Sequence, residues 1–204
     1  MASTYTANSG IEKIGAGEQA GTWGNTTNNN LDILDRAISG VAAITLSSTS
    51  KTLTTSDGTL SEGGHKVLVF SGSPGGTCTV TISPNDQDKF YVVQNGTNQT
   101  LTFTQGSGAN VSIVAGSKKL IFADGAGSGA AVTDVTDALD IASLRIGGTA
   151  VTSTAAELNI LDGVTSTATE LNLMDGGTSA GTTAVAAGDG IVTNDGGTMR
   201  QTTA

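Results

Sequence analysis

The stretch CTVTISPNDQDKFYVVQNGTNQTLTFTQG, residues 78–106, holds three short apolar segments separated by turn residues. In TLTFT (100–104) a leucine and a phenylalanine alternate with threonine, and CTVTI (78–82) alternates in the same way. Strict alternation puts successive side chains on opposite faces of a β-strand. We therefore predict that the apolar residues of both segments face a core and that their threonines face outward.

The same pattern extends on both sides of this stretch. AITLS, KTLTT and HKVLVFSG precede it, and NVSIVAG and KKLIFADG follow it, each bounded by Gly, Asn, Asp or Pro. About eight short strands with regular turn signals predict a mainly β chain, with an antiparallel β-sandwich or jelly-roll-like domain over residues 41–127. Four strands each carry one phenylalanine, and we expect at least three of them to meet in the core: Phe70, Phe90, Phe103 and Phe122.

The composition favours a thin core. The 204 residues include 29 Gly, and only 3% are aromatic and 13% charged, against the roughly 25% charged residues of an ordinary soluble domain. Burial must come from Val, Ile and Leu in thin layers, or from association of several chains. This composition suits a component of a fibre or shell better than a compact enzyme.

The charge distribution argues against nucleic acid as a partner, and the lengths of the apolar runs argue against a membrane. The net charge is −9, and Lys118-Lys119 is the only basic pair, whereas a nucleic-acid-binding protein has a clustered basic face. No apolar run reaches the ~18 residues that span a bilayer, and the N-terminus lacks the layout of a secretory signal. We expect no nucleic acid, no membrane insertion and synthesis in a cytosol. The single cysteine, Cys78, is interpreted as a small buried hydrophobe.

Residues 1–40 are predicted to form an extended arm followed by a short helix. Residues 1–21 show no clear period, whereas an Asn within 28–30 can cap a helix that stops at Gly40. Its apolar residues share one face at helical spacing and must contact something. Trp23 precedes the helix, and its ring is expected to pack where the arm meets a partner. The predicted contacts with that partner are Trp23, Leu31, Leu34 and Ile38.

The C-terminal part is organised differently. GAGSGAAV (125–132) is typical of a linker, and residues 128–150 are interpreted as a connector. Two tandem copies of one unit follow, VTSTAAELNILDG (151–163) and VTSTATELNLMDG (164–176), within a segment 151–204 that ends in Gly, Thr and Ala.

Each copy can be interpreted as a capped helix of two turns. Thr154 with Glu157, and Thr167 with Glu170, match the capping box, and Asp-Gly ends each unit. Helices this short are marginal in water, which requires ~12–15 residues even for good helix formers. We therefore expect each helix to bury its apolar face against copies from other chains, around a shared axis. The predicted contacts are Leu158, Leu161, Leu171 and Met174.

Catalytic and metal-binding patterns are sparse. GTSAG (177–181) matches the nucleophile elbow around Ser179, but the only histidine, His65, lies far upstream. Asp86-Gln87-Asp88 is interpreted as a solvated turn, and one His and one Cys cannot build a metal site alone. We predict a protein that is not an enzyme and that uses no cofactor or metal.

The repeat pair resembles the short repeats of bacteriophage tail-fibre proteins. GEQAGTWGNTTNNNLDILDRAISG (17–40) is similar to the N-terminal segment of many fibre proteins from phages of marine bacteria and cyanobacteria, and GDGIVTNDGGTMRQTT (188–203) resembles a segment that leads into further shaft. The resemblance implies a homotrimeric virion protein made in the host cytoplasm. Its N-terminal part would dock on phage tail proteins, adaptor or tubular, and a distal region beyond this sequence would meet a host glycan or protein.

Two other interpretations stay open. The chain could be another structural protein of the virion, in the neck or baseplate, or a glycan-binding module whose sandwich loops hold host sugars. A polysaccharide depolymerase needs two positioned carboxylates, and Asp86 and Asp88 are poor candidates for them.

Overall fold

The computed structural model describes residues 2–137, 141–160, 162–168, 171, 181–196 and 198–203. The protein is mainly β with several sheets, as the sequence predicts. It divides into two compact units, Met1–Ile141 and Ala142–Ala204.

The first unit begins with a small hairpin and one helix. Strands β1 (Thr4–Tyr5) and β2 (Glu12–Lys13) pair antiparallel, and helix α1 spans Trp23–Ser39. The prediction of an extended arm is therefore wrong for residues 4–13. The predicted helix start is also wrong, since α1 begins at Trp23 after Thr22 rather than after an Asn within 28–30.

The asparagines expected to cap the helix instead hold the hairpin. The side chain of Asn30 accepts from the Glu12 amide at 2.9 Å and donates to the Glu12 carbonyl at 2.8 Å. Asn29 Nδ2 donates to the Gly58 carbonyl at 2.8 Å. These residues lie inside α1 because their amides satisfy backbone groups of neighbouring segments, which offsets their modest helix propensity.

Helix α1 stops at Gly40, as predicted. Gly40 has extended backbone geometry, with φ −68° and ψ 142°, and not the left-handed conformation of many helix ends. A Cβ at this position would lie 2.6 Å from Arg36 Cα. Glycine is therefore required here by the close approach of the chain to the last helical turn.

Two sheets form the body of the first unit. One sheet has the order β11-β10-β7-β5-β3 and the other β4-β6-β8-β9. Their strands are β3 (Val41–Leu46), β4 (Ser50–Thr54), β5 (Val67–Gly72), β6 (Cys78–Ser83), β7 (Asp88–Asn95), β8 (Leu101–Thr104), β9 (Val111–Ile113), β10 (Lys118–Asp124) and β11 (Val132–Asp134). All eight predicted strand segments are present, and the predicted inward residues of 78–82 and 100–104 are buried.

The predicted antiparallel pairing is wrong for the first six strands of the body. From β3 to β8 the chain alternates between the sheets, and the pairs β3–β5, β5–β7, β4–β6 and β6–β8 are parallel. Only the pairs made by the last strands, β7–β10, β10–β11 and β8–β9, are antiparallel. The chain thus winds through both sheets, and strands β9–β11 complete their edges.

One core cluster joins both sheets. Phe70 of β5 and Phe103 of β8 are fully buried, and their rings meet edge to face with centroids 5.7 Å apart. Phe90 and Phe122 are 39% and 37% exposed, so the expectation that at least three phenylalanines share the core is wrong. The residues adjacent to them in sequence take the inward positions, and Tyr91 is the large aromatic residue of β7 in the core.

Residues 125–132 belong to the body and do not form a linker. Ala130 is fully buried, and Val132 begins β11, which pairs with β10. The amide of Val132 also donates to the Ala109 carbonyl at 2.8 Å. The segment passes so close to the preceding loop that a Cβ at Gly106 or Gly108 would lie within 3 Å of the backbone of residues 128–130.

The second unit contains short elements. Strands β12 (Arg145–Ile146) and β13 (Thr149–Ala150) pair antiparallel, helix α2 spans Ala155–Ile160, and β14 (Gly190–Asp195) pairs antiparallel with β15 (Thr198–Thr203). The predicted contacts Leu161 and Met174, and Ser179 of the GTSAG match, lie outside the described residues.

Candidate functional site

The apolar stripe of α1 faces solvent. Trp23 is 62% exposed, Leu31 57%, Leu34 39% and Ile38 70%. The helix contacts its own body through Ile33, which is 5% exposed and points away from this stripe. The structure therefore brings the four predicted partner contacts onto one open helix face, and Ile33 is the anchoring residue that the sequence analysis missed.

The first repeat contains a capping box. Glu157 Oε2 accepts hydrogen bonds from the Thr154 amide at 2.8 Å and from the Thr154 hydroxyl at 2.9 Å, and the Glu157 amide donates back to the Thr154 hydroxyl at 3.2 Å. These bonds lower the pKa of the Glu157 carboxyl. The predicted helix start in this repeat is confirmed.

The apolar residues of that short helix have no cover within the described chain. Helix α2 is six residues long, and two of its apolar side chains face solvent in large part: Leu158 is 46% exposed and Ile160 73%. In the second repeat the Leu171 amide donates to the Thr167 carbonyl at 3.0 Å, and Leu171 is 41% exposed. The predicted contact residues that the structure describes are thus available for contact.

A cavity of about 140 Å³ lies where α1, the hairpin loop and β7 meet. Burial lowers the pKa of Lys89 to about 8, against the opposing effect of Asp88, and the ammonium donates to the Asn8 carbonyl. Burial also raises the pKa of Tyr91, whose hydroxyl donates to the Gly63 carbonyl at 2.7 Å. Both polar side chains therefore bind backbone carbonyls. The Lys89 bond connects the hairpin to the body, and the Tyr91 bond connects the turn at Glu62–Gly64 to it.

The Asp86-Gln87-Asp88 turn is more buried than the sequence suggests. Gln87 is 6% exposed, and its carbonyl accepts from the Gln105 side chain at 2.7 Å. Asp86 and Gln87 line an open cleft of about 410 Å³ together with Asp57. The prediction of a solvated turn is therefore wrong for Gln87.

Other chemical groups are dispersed. Among the described residues no three His, Cys, Asp or Glu side chains form a group that could hold a metal ion. Cys78 is fully buried, and burial raises the pKa of its thiol. No helix in the described ranges is long and apolar enough to cross a membrane.

Comparisons with protein-family models, with curated proteins and with solved structures find no match to this chain.

Proposed function

We propose that this chain is a structural virion protein, a homotrimeric phage tail fibre or its N-terminal tail-attachment part. Residues 1–40 dock on the phage tail, the two-sheet body follows as a sandwich, and residues 151–204 begin the shaft. A distal region meets a glycan or protein of the host surface. The chain has no enzymatic activity in this proposal.

The observation that carries the proposal is the tandem repeat with its exposed apolar residues. A helix of six residues is not stable alone in water, yet the capping box of the first copy is fully formed. Leu158 and Leu171 occupy equivalent positions in the two copies and are 46% and 41% exposed. Repeats that cannot bury their own apolar face are stabilised by stacking, and copies from other chains supply that contact.

The open face of α1 supports the second part of the proposal. Ile33 is buried under the helix, Asn29 binds the Gly58 carbonyl and Asn30 binds the hairpin at Glu12, so the orientation of α1 does not depend on the exposed stripe. An exposed tryptophan beside leucine and isoleucine on a rigid helix is typical of an anchor that enters an apolar groove of another protein. We assign this stripe to the tail protein on which the fibre docks.

The shaft is tested by a double variant, Leu158→Asp with Leu171→Asp. Three charges at each level of a shared axis repel one another, so we expect residues 151–176 to lose structure and the trimer to melt at a lower temperature. Val185→Asp is the control, because Val185 is 67% exposed in the same unit but lies outside the repeats. Normal trimer melting of the double variant would refute the shaft.

The anchor is tested in particles with Trp23→Ala combined with Leu34→Asp. We expect the body to fold normally and incorporation into particles to fall, as measured by mass spectrometry of purified virions. Val114→Asp, at a residue 58% exposed outside α1, is the control. Unchanged incorporation would show that the α1 stripe is not the anchor, and immunogold label at the neck or baseplate would assign the chain to those parts instead.

A further inference from the structure

The outer face of the five-stranded sheet is apolar along its centre. One row of directly paired residues crosses four strands, and each member is aliphatic: Val41, Val67, Val92 and Leu120. In the neighbouring row Phe90 pairs with Phe122, and both rings are more than a third exposed. On the other side of the row, Ala43 pairs with Val69.

The outer face of the four-stranded sheet is polar and differs from that of the five-stranded sheet. Its outward positions are all serine or threonine: Ser50, Thr52, Thr54, Thr79, Thr81, Ser83, Thr102, Thr104 and Ser112. Hydroxyl side chains keep a high β-propensity and remain hydrated. The same winding of the chain therefore builds one wettable face and one apolar face, and strand formation does not explain the difference.

Polar side chains lie at both ends of the apolar rows. The Lys66 ammonium lies over the Phe90 ring at 4.4 Å from its centroid. At the opposite end Gln94 pairs with Lys118, and the hydroxyls of Thr45 and Ser71 lie 3.3 Å apart. An apolar centre inside a polar rim is the arrangement of protein–protein interfaces.

We propose that this sheet face packs against the body of a second copy of the same chain. Val41 is 59% exposed, Phe90 39% and Phe122 37%, and the other valines and Leu120 of the rows are half-buried. With roughly 150–250 Å² for a large side chain, the apolar rows expose on the order of a few hundred Å². A standard interface buries about 800 Å² on each partner, of which a little over half is apolar. The apolar rows therefore supply an apolar centre, and the polar residues at their ends a rim, for one side of such an interface.

The choice of occupant rests on the proposed function, which places identical chains side by side along a shared axis. The bodies of those chains then lie within reach of one another. The inference adds a second contact between copies, located in the body and independent of the repeats.

The test uses thiol protection in the full chain. In Val92→Cys the new thiol lies in the centre of the apolar row, and in Val114→Cys it lies at a residue that is 58% exposed and belongs to neither sheet. The natural Cys78 is fully buried and gives a low background. Val92 is half-buried in the single chain, so each variant is compared with itself. We expect a maleimide to label Val92→Cys at least tenfold more slowly in the assembled protein than after dilution to single chains, and to label Val114→Cys at the same rate in both states.

A second pair of variants measures association itself. Val41→Thr with Val92→Thr keeps branched side chains in the strands but places hydroxyls in the interface, and we expect the dissociation constant to rise about tenfold or more. Val114→Thr with Val185→Thr is the control. Val114 and Val185 are 58% and 67% exposed, close to the 59% of Val41. We expect no change for the control pair.

The outcomes separate the inference from the proposed function. Trimers in which Val92→Cys labels as fast as it does in single chains would refute the inference and leave the fibre intact. A wild-type chain that is monomeric at all concentrations would refute both. Protection of Val92→Cys in a protein that is absent from virions would support the contact and refute the proposed function.

Discussion

Replacement of Asn95 by aspartate tests how the chain crosses from one sheet to the other. Asn95 ends β7 and is fully buried. Its side-chain amide donates to the carbonyls of Gln99 and Ile113, both at 2.8 Å, and its side-chain oxygen accepts from the Thr97 amide and hydroxyl at 3.0 and 2.7 Å. The group thus ties the β7–β8 turn to β9.

Asn95→Asp keeps the acceptor and removes both donors. The Thr97 hydroxyl has one proton, which lies within reach of Asn95 Oδ1 at 2.7 Å and of the Gln99 carbonyl at 3.0 Å. A carboxylate at position 95 attracts that proton, so the carbonyls of Gln99 and Ile113 both lose their Asn95 donor and face a charged group. Loss of a buried partner costs about 1–3 kcal/mol, and a buried charge adds to it. We expect the free energy of unfolding of the first unit to fall by about 2–4 kcal/mol in urea titrations followed by circular dichroism. Asn110→Asp, at an exposed residue, carries the same charge change. Equal stability of the two variants would refute the assignment.

Three further predictions concern other contacts. Asn30→Ala removes both hydrogen bonds to Glu12, so we expect proteases to cut residues 4–13 faster than in the control Asn28→Ala, and equal rates would contradict the clamp. Thr154→Ala should reduce the helical NMR signature of Ala155–Ile160. In the wild type that signature should weaken as the pH falls below the ordinary Glu pKa of 4.5. The hydrogen bonds from Thr154 lower the pKa of Glu157, so they favour the ionised carboxylate and are weakened when it is protonated. Lys119 lies 2.7 Å from Asp134 and, with Thr136, lowers its pKa to about 2. Stability from this pair is therefore present above pH 3.8 and lost as the pH falls toward 2, and Lys119→Ala, but not Lys118→Ala, should flatten that dependence.

The alternating segments predicted the strands because burial on one face depends only on a period of two. In CTVTI and TLTFT every second residue is apolar and the others are threonine, so the pattern shows which side chains face inward. All of these apolar residues are buried. In KFYVV (89–93) every residue after the lysine is apolar or aromatic. Such a run does not show which phase faces inward, and Tyr91 rather than Phe90 enters the core.

Strand direction could not be predicted from the same pattern. A half-buried strand alternates equally well in a parallel and in an antiparallel pair. The short connection at residues 47–49 looks like a hairpin loop, yet it carries the chain from β3 in one sheet to β4 in the other. Parallel neighbours then arise because each strand pairs with the one that comes a full winding later.

The candidate surfaces were predicted to different degrees. Helical spacing placed Leu31, Leu34 and Ile38 on one face, and the capping box located the start of α2. The hairpin clamp depends on side-chain amides meeting a strand that is distant in sequence, and the apolar outer face depends on the register of both parallel and antiparallel pairs. Neither property is present in a local sequence pattern.

The proposal that this chain is one subunit of a multi-chain fibre is tested most directly by its mass in solution. The chain has a mass of 20.1 kDa. Sedimentation equilibrium of the wild-type protein should give three times this value, and the mass should fall toward a single chain in Leu158→Asp with Leu171→Asp. A wild-type protein that sediments as a single chain at every concentration would contradict the account.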